Sequence, residues 1–207
     1  MKRHALIGVA LLALALPAGA DASRADCWPK GTRTMQHSDH ARVYAIQTER
    51  GQLTYGCLYS TGRRVWLDEE IEGDPYKDAE PPYRLAGRYV ALKAAYLPQE
   101  AYQGCCEYGI DVVDLRTGKV VRSATRAWDD DEPYDPETPP DPRIGPFVLT
   151  RGGNAAWISR YGEPQVWRLD SRGARLLDQG ERLTGLRITT GRVHWLRDGS
   201  PKVASLR

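Results

Sequence analysis

The chain reads as an all-β protein made of about four repeated antiparallel units, and three observations predict this. Four short apolar runs share one pattern, a polar residue leading into β-rich sequence: Arg42–Ile46, Arg88–Leu92, Asn154–Ile158 and Arg192–Leu196. A second motif follows the first three runs and places a glycine after polar residues: Leu58-Tyr59-Ser60-Thr61-Gly62, Asp114-Leu115-Arg116-Thr117-Gly118 and Asp170-Ser171-Arg172-Gly173. No window beyond the N-terminal apolar run shows helical periodicity.

The first residues follow the grammar of an export signal. Lys2, Arg3 and His4 form a basic start, Ile7–Leu16 is apolar, and Pro17 precedes the small residues Ala18-Gly19-Ala20. This predicts a cleaved signal peptide over residues 1–20, with a cut after Ala22 as the alternative. The apolar run is shorter than the roughly 20 residues a membrane anchor needs, and no later segment approaches that length, so no span is expected in the mature chain. The expected location is secreted or periplasmic, in the cell envelope. Arginine outnumbers lysine and Asn154 is the one asparagine, which points to GC-rich bacterial coding.

Removing that segment changes the electrostatic picture. The whole chain carries 29 basic and 27 acidic residues, and losing Lys2 and Arg3 leaves 27 against 27. A balanced mature chain has no net field to attract nucleic acid or an anionic membrane, so neither is an expected partner. Oligomeric state is not legible.

Residues 21–31 form an N-terminal segment ahead of the repeats and contain the first of four cysteines, Cys27. In an exported chain these cysteines predict disulfides rather than metal ligation. Three connectivities are possible. The preferred one joins Cys27 to Cys57, worth roughly 3 kcal/mol by chain-entropy reasoning, and makes a vicinal pair of Cys105 and Cys106. The alternative has each neighbour pairing elsewhere, for example with Cys27 and Cys57. Adjacent Cys105-Cys106 lacks the spacing of a zinc knuckle, and no metal or other cofactor is expected.

Residues 32–207 hold the repeats. The leading strands are expected at Thr32–Gln36, Tyr83–Ala86, Phe147–Arg151 and Leu183–Thr189, each ahead of one of the four apolar runs. Gly87, Gly153 and Gly191 enter three of those runs. The glycines of the second motif supply the positive φ of a hairpin turn. The unit is thus strand, strand, tight turn, strand, with a further strand in front. The last unit runs Leu183–Thr189, Arg192–Leu196 and Lys202–Leu206 and stops one strand early.

Four antiparallel strands per roughly 40 residues is the period of a propeller blade. Over residues 32–207 the sequence resembles the loosely conserved secreted bacterial β-propeller repeats of the broad TolB-like and WD-repeat-like kind. The resemblance implies a propeller-like array of about four short blades, incomplete at its end, and carries architecture rather than activity. The rival fold is a β-sandwich built from the same strands.

Two acidic stretches interrupt the repeats. Asp68–Glu80 carries seven acids, and Asp129–Pro142 carries seven with five prolines. Such composition is expected to form solvated loops. Asp129-Asp130-Asp131-Glu132 has hard oxygen ligands of the kind calcium takes, without the EF-hand spacing. The same carboxylates could serve as a glycosidase pair, although exposed acids make poor general acids.

Other constellations give less chemistry. His37-Ser38-Asp39-His40 has triad residue types, but triads assemble across a fold, and a turn is the expected structure. His194 reads as packed or at an edge. Trp157 and Trp195 share one repeat position and read as structural. Tyr96, Tyr102, Tyr108 and Trp128 fall outside the pattern and are the candidate binding residues, as loop aromatics at one end of a β scaffold. The leading expectation is an exported non-catalytic module that binds a protein, glycan or envelope component. The alternatives are a glycan-acting hydrolase using the acidic loops and a structural piece of an exported assembly.

Overall fold

A computed structural model describes residues 24–71, 83–96, 107–126, 144–160 and 162–206. Fifteen strands occupy most of these residues and form four antiparallel sheets, each a simple meander. The first sheet holds β1 (Thr32–His37), β2 (Ala41–Thr48), β3 (Gly51–Leu58) and β4 (Arg63–Ile71). The second holds β5 (Tyr83–Ala86), β6 (Tyr89–Tyr96), β7 (Glu107–Asp114) and β8 (Lys119–Arg126). The third holds β9 (Ile144–Leu149), β10 (Ala155–Ser159), β11 (Gln165–Asp170) and β12 (Gly173–Gln179). The fourth has three strands only, β13 (Leu183–Thr189), β14 (Arg192–Arg197) and β15 (Ser200–Ser205). Four sheets, rather than the two of a sandwich, are the architecture.

Strand alternation explains how the sheets stack. In β6, Val90 and Leu92 face one side and pack with Ala41, Val43 and Leu67 of the first sheet. Ala91, between them in sequence, faces the other side and packs with Phe147 and Trp157 of the third sheet. The same division recurs in β10. Ala155 and Trp157 join the core with the second sheet, while Ala156 and Ile158 join Val193 and Trp195 of the fourth. A strand buried on both faces must be apolar throughout, which is why these runs read as continuous rather than alternating.

The repeated turn motif has a common physical basis. In the β7–β8 turn the Asp114 carboxylate accepts a hydrogen bond from the Arg116 amide at 2.9 Å. In the β11–β12 turn Asp170 accepts from the Arg172 amide at 2.8 Å. Aspartate bonding two residues ahead fixes the turn, and Gly118 (φ 70°) and Gly173 (φ 94°) complete it. A second shared bond ties the central hairpins: Tyr59 N–H donates to His40 O, Leu115 N–H to Arg88 O and Leu206 N–H to Gly191 O, at 2.9–3.0 Å.

Close approach of the first two sheets requires Gly56. A Cβ there would collide with the Leu115 side chain. Polar bridges add to the apolar contacts. Gln36 bonds the backbone of Tyr83 and Leu85, and Arg63 donates to Arg116 O and Thr117 O at 3.0 and 2.9 Å. Between the third and fourth sheets, Asn154 donates to Leu206 O and Arg168 to Ser205 O.

Cys27 and Cys57 are joined in a disulfide, with Cα atoms 5.5 Å apart. It ties the N-terminal segment across the outer face of the first sheet. There the Arg42 guanidinium, 2% exposed, donates to Cys27 O, Thr34 Oγ1 and Thr32 Oγ1. Its carbon lies 3.9 Å from the Trp28 ring centroid. Burial pulls the Arg42 pKa down, and Tyr59 and Tyr44 oppose that shift. Cys105 and Cys106, expected to pair with each other, and residues 1–20 lie outside the described residues.

Three expectations need correction. The strand expected at Phe147–Arg151 is β9, Ile144–Leu149, because Thr150 and Arg151 turn the chain and Thr150 Oγ1 accepts the Asn154 amide. Asp68 to Ile71, expected in a solvated acidic loop, are the end of β4. They pair with Thr54, Leu53, Gln52 and Gly51, and Asp68 accepts a 2.8 Å bond from the Tyr83 hydroxyl. Cross-strand pairing and that hydroxyl outweigh the polar composition. Tyr96 and Tyr108, expected on loops, lie in β6 and β7, where Tyr96 pairs with Glu107 and Tyr108 with Ala95.

Candidate functional site

The first hairpin turn of every sheet lies around one opening. Residues 37–40 of the first sheet, 85–87 of the second, 149–151 of the third and Ile188, Thr190 and Gly191 of the fourth line a cavity of about 660 Å³. A second cavity of about 800 Å³ shares Asp39, His40, Gly87 and Arg151 with it. Together they form one mouth, built from turns rather than from strand faces.

Each turn is held by local chemistry. Ser38 Oγ accepts the amides of His40 and Ala41, both at 3.2 Å. That self-contained turn sets His37, Asp39 and His40 side by side on the lining of the mouth. The Thr150 amide donates to Asn154 O at 2.8 Å, and Gly153 N–H donates to Thr150 O at 3.0 Å. Thr190 (φ 47°) and Gly191 (φ 73°) are both left-handed, the backbone of a tight hairpin turn. A β-branched residue at positive φ is strained, and here it sits on the rim of the mouth.

The larger cavity is rich in arginine. Arg24 comes from the disulfide-tied N-terminal segment, Arg88 from the β5–β6 turn, Arg116 from the β7–β8 turn and Arg151 from the β9–β10 turn. Arg24 lies over Tyr59 with its guanidinium carbon 4.9 Å from the ring centroid. Arg88 covers Tyr89 at the same distance and donates to the Tyr89 hydroxyl at 2.7 Å. Its Nε is 3.3 Å from the buried Asp114 carboxylate. No described residue bonds the side chains of Arg116 or Arg151. Burial raises the Tyr59 pKa, although Arg24 and Arg42 pull it down. The phenol therefore stays neutral.

Asp39 is the single carboxylate among the described residues lining these cavities. Acid–base hydrolysis of a glycan needs a second carboxyl within about 5–10 Å. The acidic segment 129–142, on which calcium binding or hydrolysis would depend, lies outside the described residues, as do Tyr102 and Trp128.

Of the expected binding residues, Tyr96 stands seven positions along β6 from Tyr89, which lines the mouth. At the rise of a strand that is about 23 Å. The backbone therefore does not bring Tyr96 or its neighbour Tyr108 to the mouth. His194 is half-buried on β14, with Nε2 2.6 Å from Thr189 Oγ1. Trp157 and Trp195 are core residues, as their shared position implies. Sequence reading missed Arg88, Arg116 and Arg151 as a group. Each is visible next to a turn glycine, but only the stacking of sheets brings those turns together.

No protein-family model matches this chain, and no curated protein matches it. Among the described residues no helix is long and apolar enough to cross a membrane.

Proposed function

We propose that the chain is an exported, non-catalytic β-repeat module of propeller-like build that binds an extracellular or envelope component, a protein or glycan, at the mouth of its first hairpin turns. The observation that carries this is the convergence of four equivalent turns, one from each sheet, on one opening. Equivalent turns gather in this way at one end of a propeller axis, where loops carry ligand sites. The disulfide suits an oxidising compartment, and the basic, apolar and small-residue order of residues 1–20 suits delivery there.

The test is site-specific cross-linking in an exporting cell. A photoreactive residue at Asp39 or Thr190, both on the mouth, should yield a discrete adduct. The same residue at Leu176, exposed on β12, should not. Equal adducts at all three positions, or none at the mouth, would overturn the reading. A second reading, a structural piece of a larger assembly, is favoured by one feature: Val203 and Leu196 are exposed together on the fourth sheet. Size-exclusion of the purified protein distinguishes it, since a structural piece should run as a higher-order species and a binding module as its own mass.

A further inference from the structure

We propose that the mouth is an anion site, taking a small ligand with two or more carboxylate or phosphate groups that Arg116 and Arg151 grip between Arg24 and Arg88. The inference rests on the mouth being the binding face and adds the chemistry of what binds there.

Four arginines line one cavity, and Asp39 is the single acidic residue lining it. Guanidinium stays ionised at any physiological pH, so the gathering is repulsive unless something answers it. Asp114 answers Arg88 in part. Arg116 and Arg151 are exposed and have no protein partner among the described residues. The chain as a whole, 29 basic against 27 acidic, has no excess that would place such a cluster at an arbitrary spot.

The backbone beneath the free arginines is fixed. The Arg116 amide is held by Asp114 at 2.9 Å and its carbonyl by Arg63 at 3.0 Å. Thr150 and Gly153 bonds close the turn that carries Arg151. Arg24 and Arg88 are each laid on a tyrosine ring, which limits their freedom before any ligand arrives. A fixed turn removes the backbone's part of the ordering cost, the free side chains still give up their rotamer freedom, and the paired N–H groups of guanidinium match a carboxylate or phosphate. A cavity of about 800 Å³ admits a ligand of drug-like size.

Carboxylate and phosphate offer the same chemistry, so the experiment carries both. Titration calorimetry of the purified, disulfide-bonded protein with citrate, inorganic pyrophosphate and neutral sucrose reads the site directly. Binding of citrate, of pyrophosphate or of both is expected, with sucrose silent. Binding of one alone names the source of the anion. In the double variant Arg116→Gln with Arg151→Gln the affinity should fall about 100-fold, about tenfold for each lost charge-assisted pair. Arg175→Gln, exposed on β12, should leave it unchanged. The substituted side chains are solvent-facing, and an unaltered melting curve confirms that each variant is folded. Silence with both anions overturns the proposal, as does equal affinity in the double variant. If Asp39 and Thr190 still cross-link while both anions are silent, the mouth binds and only its anionic character is refuted.

Discussion

The two outer sheets of the stack face the same physical problem and meet it differently. Among the described residues, each shares its apolar core with one neighbouring sheet. The outer face of the first sheet is closed by a polar and covalent cap: a disulfide, a cation 2% exposed and a tryptophan stacked on that cation. Among the described residues the outer face of the fourth sheet has no such cap. Val203 is 52% exposed and Leu196 38%, and β15 ends the sheet without a fourth strand. Its edge instead carries Pro201 and Lys202, which discourage pairing with another chain. A stack of repeats needs protected ends, and here one end is sealed while the other is only guarded.

Breaking the seal should cost most. Replacing both Cys27 and Cys57 by serine removes a bond of sequence separation 30, and should lower unfolding free energy by about 3 kcal/mol in urea titration. Arg42→Ala leaves Cys27 O, Thr34 and Thr32 without their donor. A loss of about 2–3 kcal/mol is expected. A loss below about 1 kcal/mol in the intact-disulfide protein would mean that the bond alone closes this face.

The guarded end hangs on Asp178 of β12, which accepts bonds from the Trp195 indole and Arg197, both at 2.8 Å. Burial pushes the Asp178 pKa up, but the bonds from Trp195, Gln179 and Arg197 outweigh it and leave the carboxyl below the usual range. The stability it contributes is therefore present above the ordinary carboxylate pKa, about 4, and is lost as pH falls through the lower folded value. Asp178→Asn should cost about 1–2 kcal/mol at neutral pH. Acid titrations of the two proteins should converge at the bottom of the carboxylate range, and a gap that persists there would mean packing, not charge, holds the fourth sheet.

Smallest is Tyr44→Phe. The hydroxyl is buried with no partner among the described residues, and burial raises its pKa although Arg64 and Arg42 oppose this. Removing it should change stability by less than about 0.5 kcal/mol, or raise it. A clear loss in the melting curve would reveal a bond to the hydroxyl.

Much of this contrast was legible in sequence. Tyr83–Ala86 and Leu183–Thr189 read as strands from end to end, and the last unit was recognisably one strand short. Cys27 and Cys57 could be paired because both adjoin the first repeat. Arg42 was read only as the polar lead of an apolar run. Its burial depends on the N-terminal segment folding back, a contact that no local pattern announces. Arg116 and Arg151 show the same limit, since their turns are separated in sequence and meet only through the stacking of sheets. Asp68 was misread because acidity suggests solvent, while its bond to Tyr83 comes from the neighbouring sheet.

The position of the disulfide bears on the order in which the molecule can be made. Both sulfurs belong to the first 57 residues, and a nascent chain emerges with its N-terminus leading. The bond can therefore close as soon as β3 has emerged, before the other three sheets have emerged. Once β4 has joined it, the first sheet stands ready as a template, and each later sheet has an apolar face waiting for it.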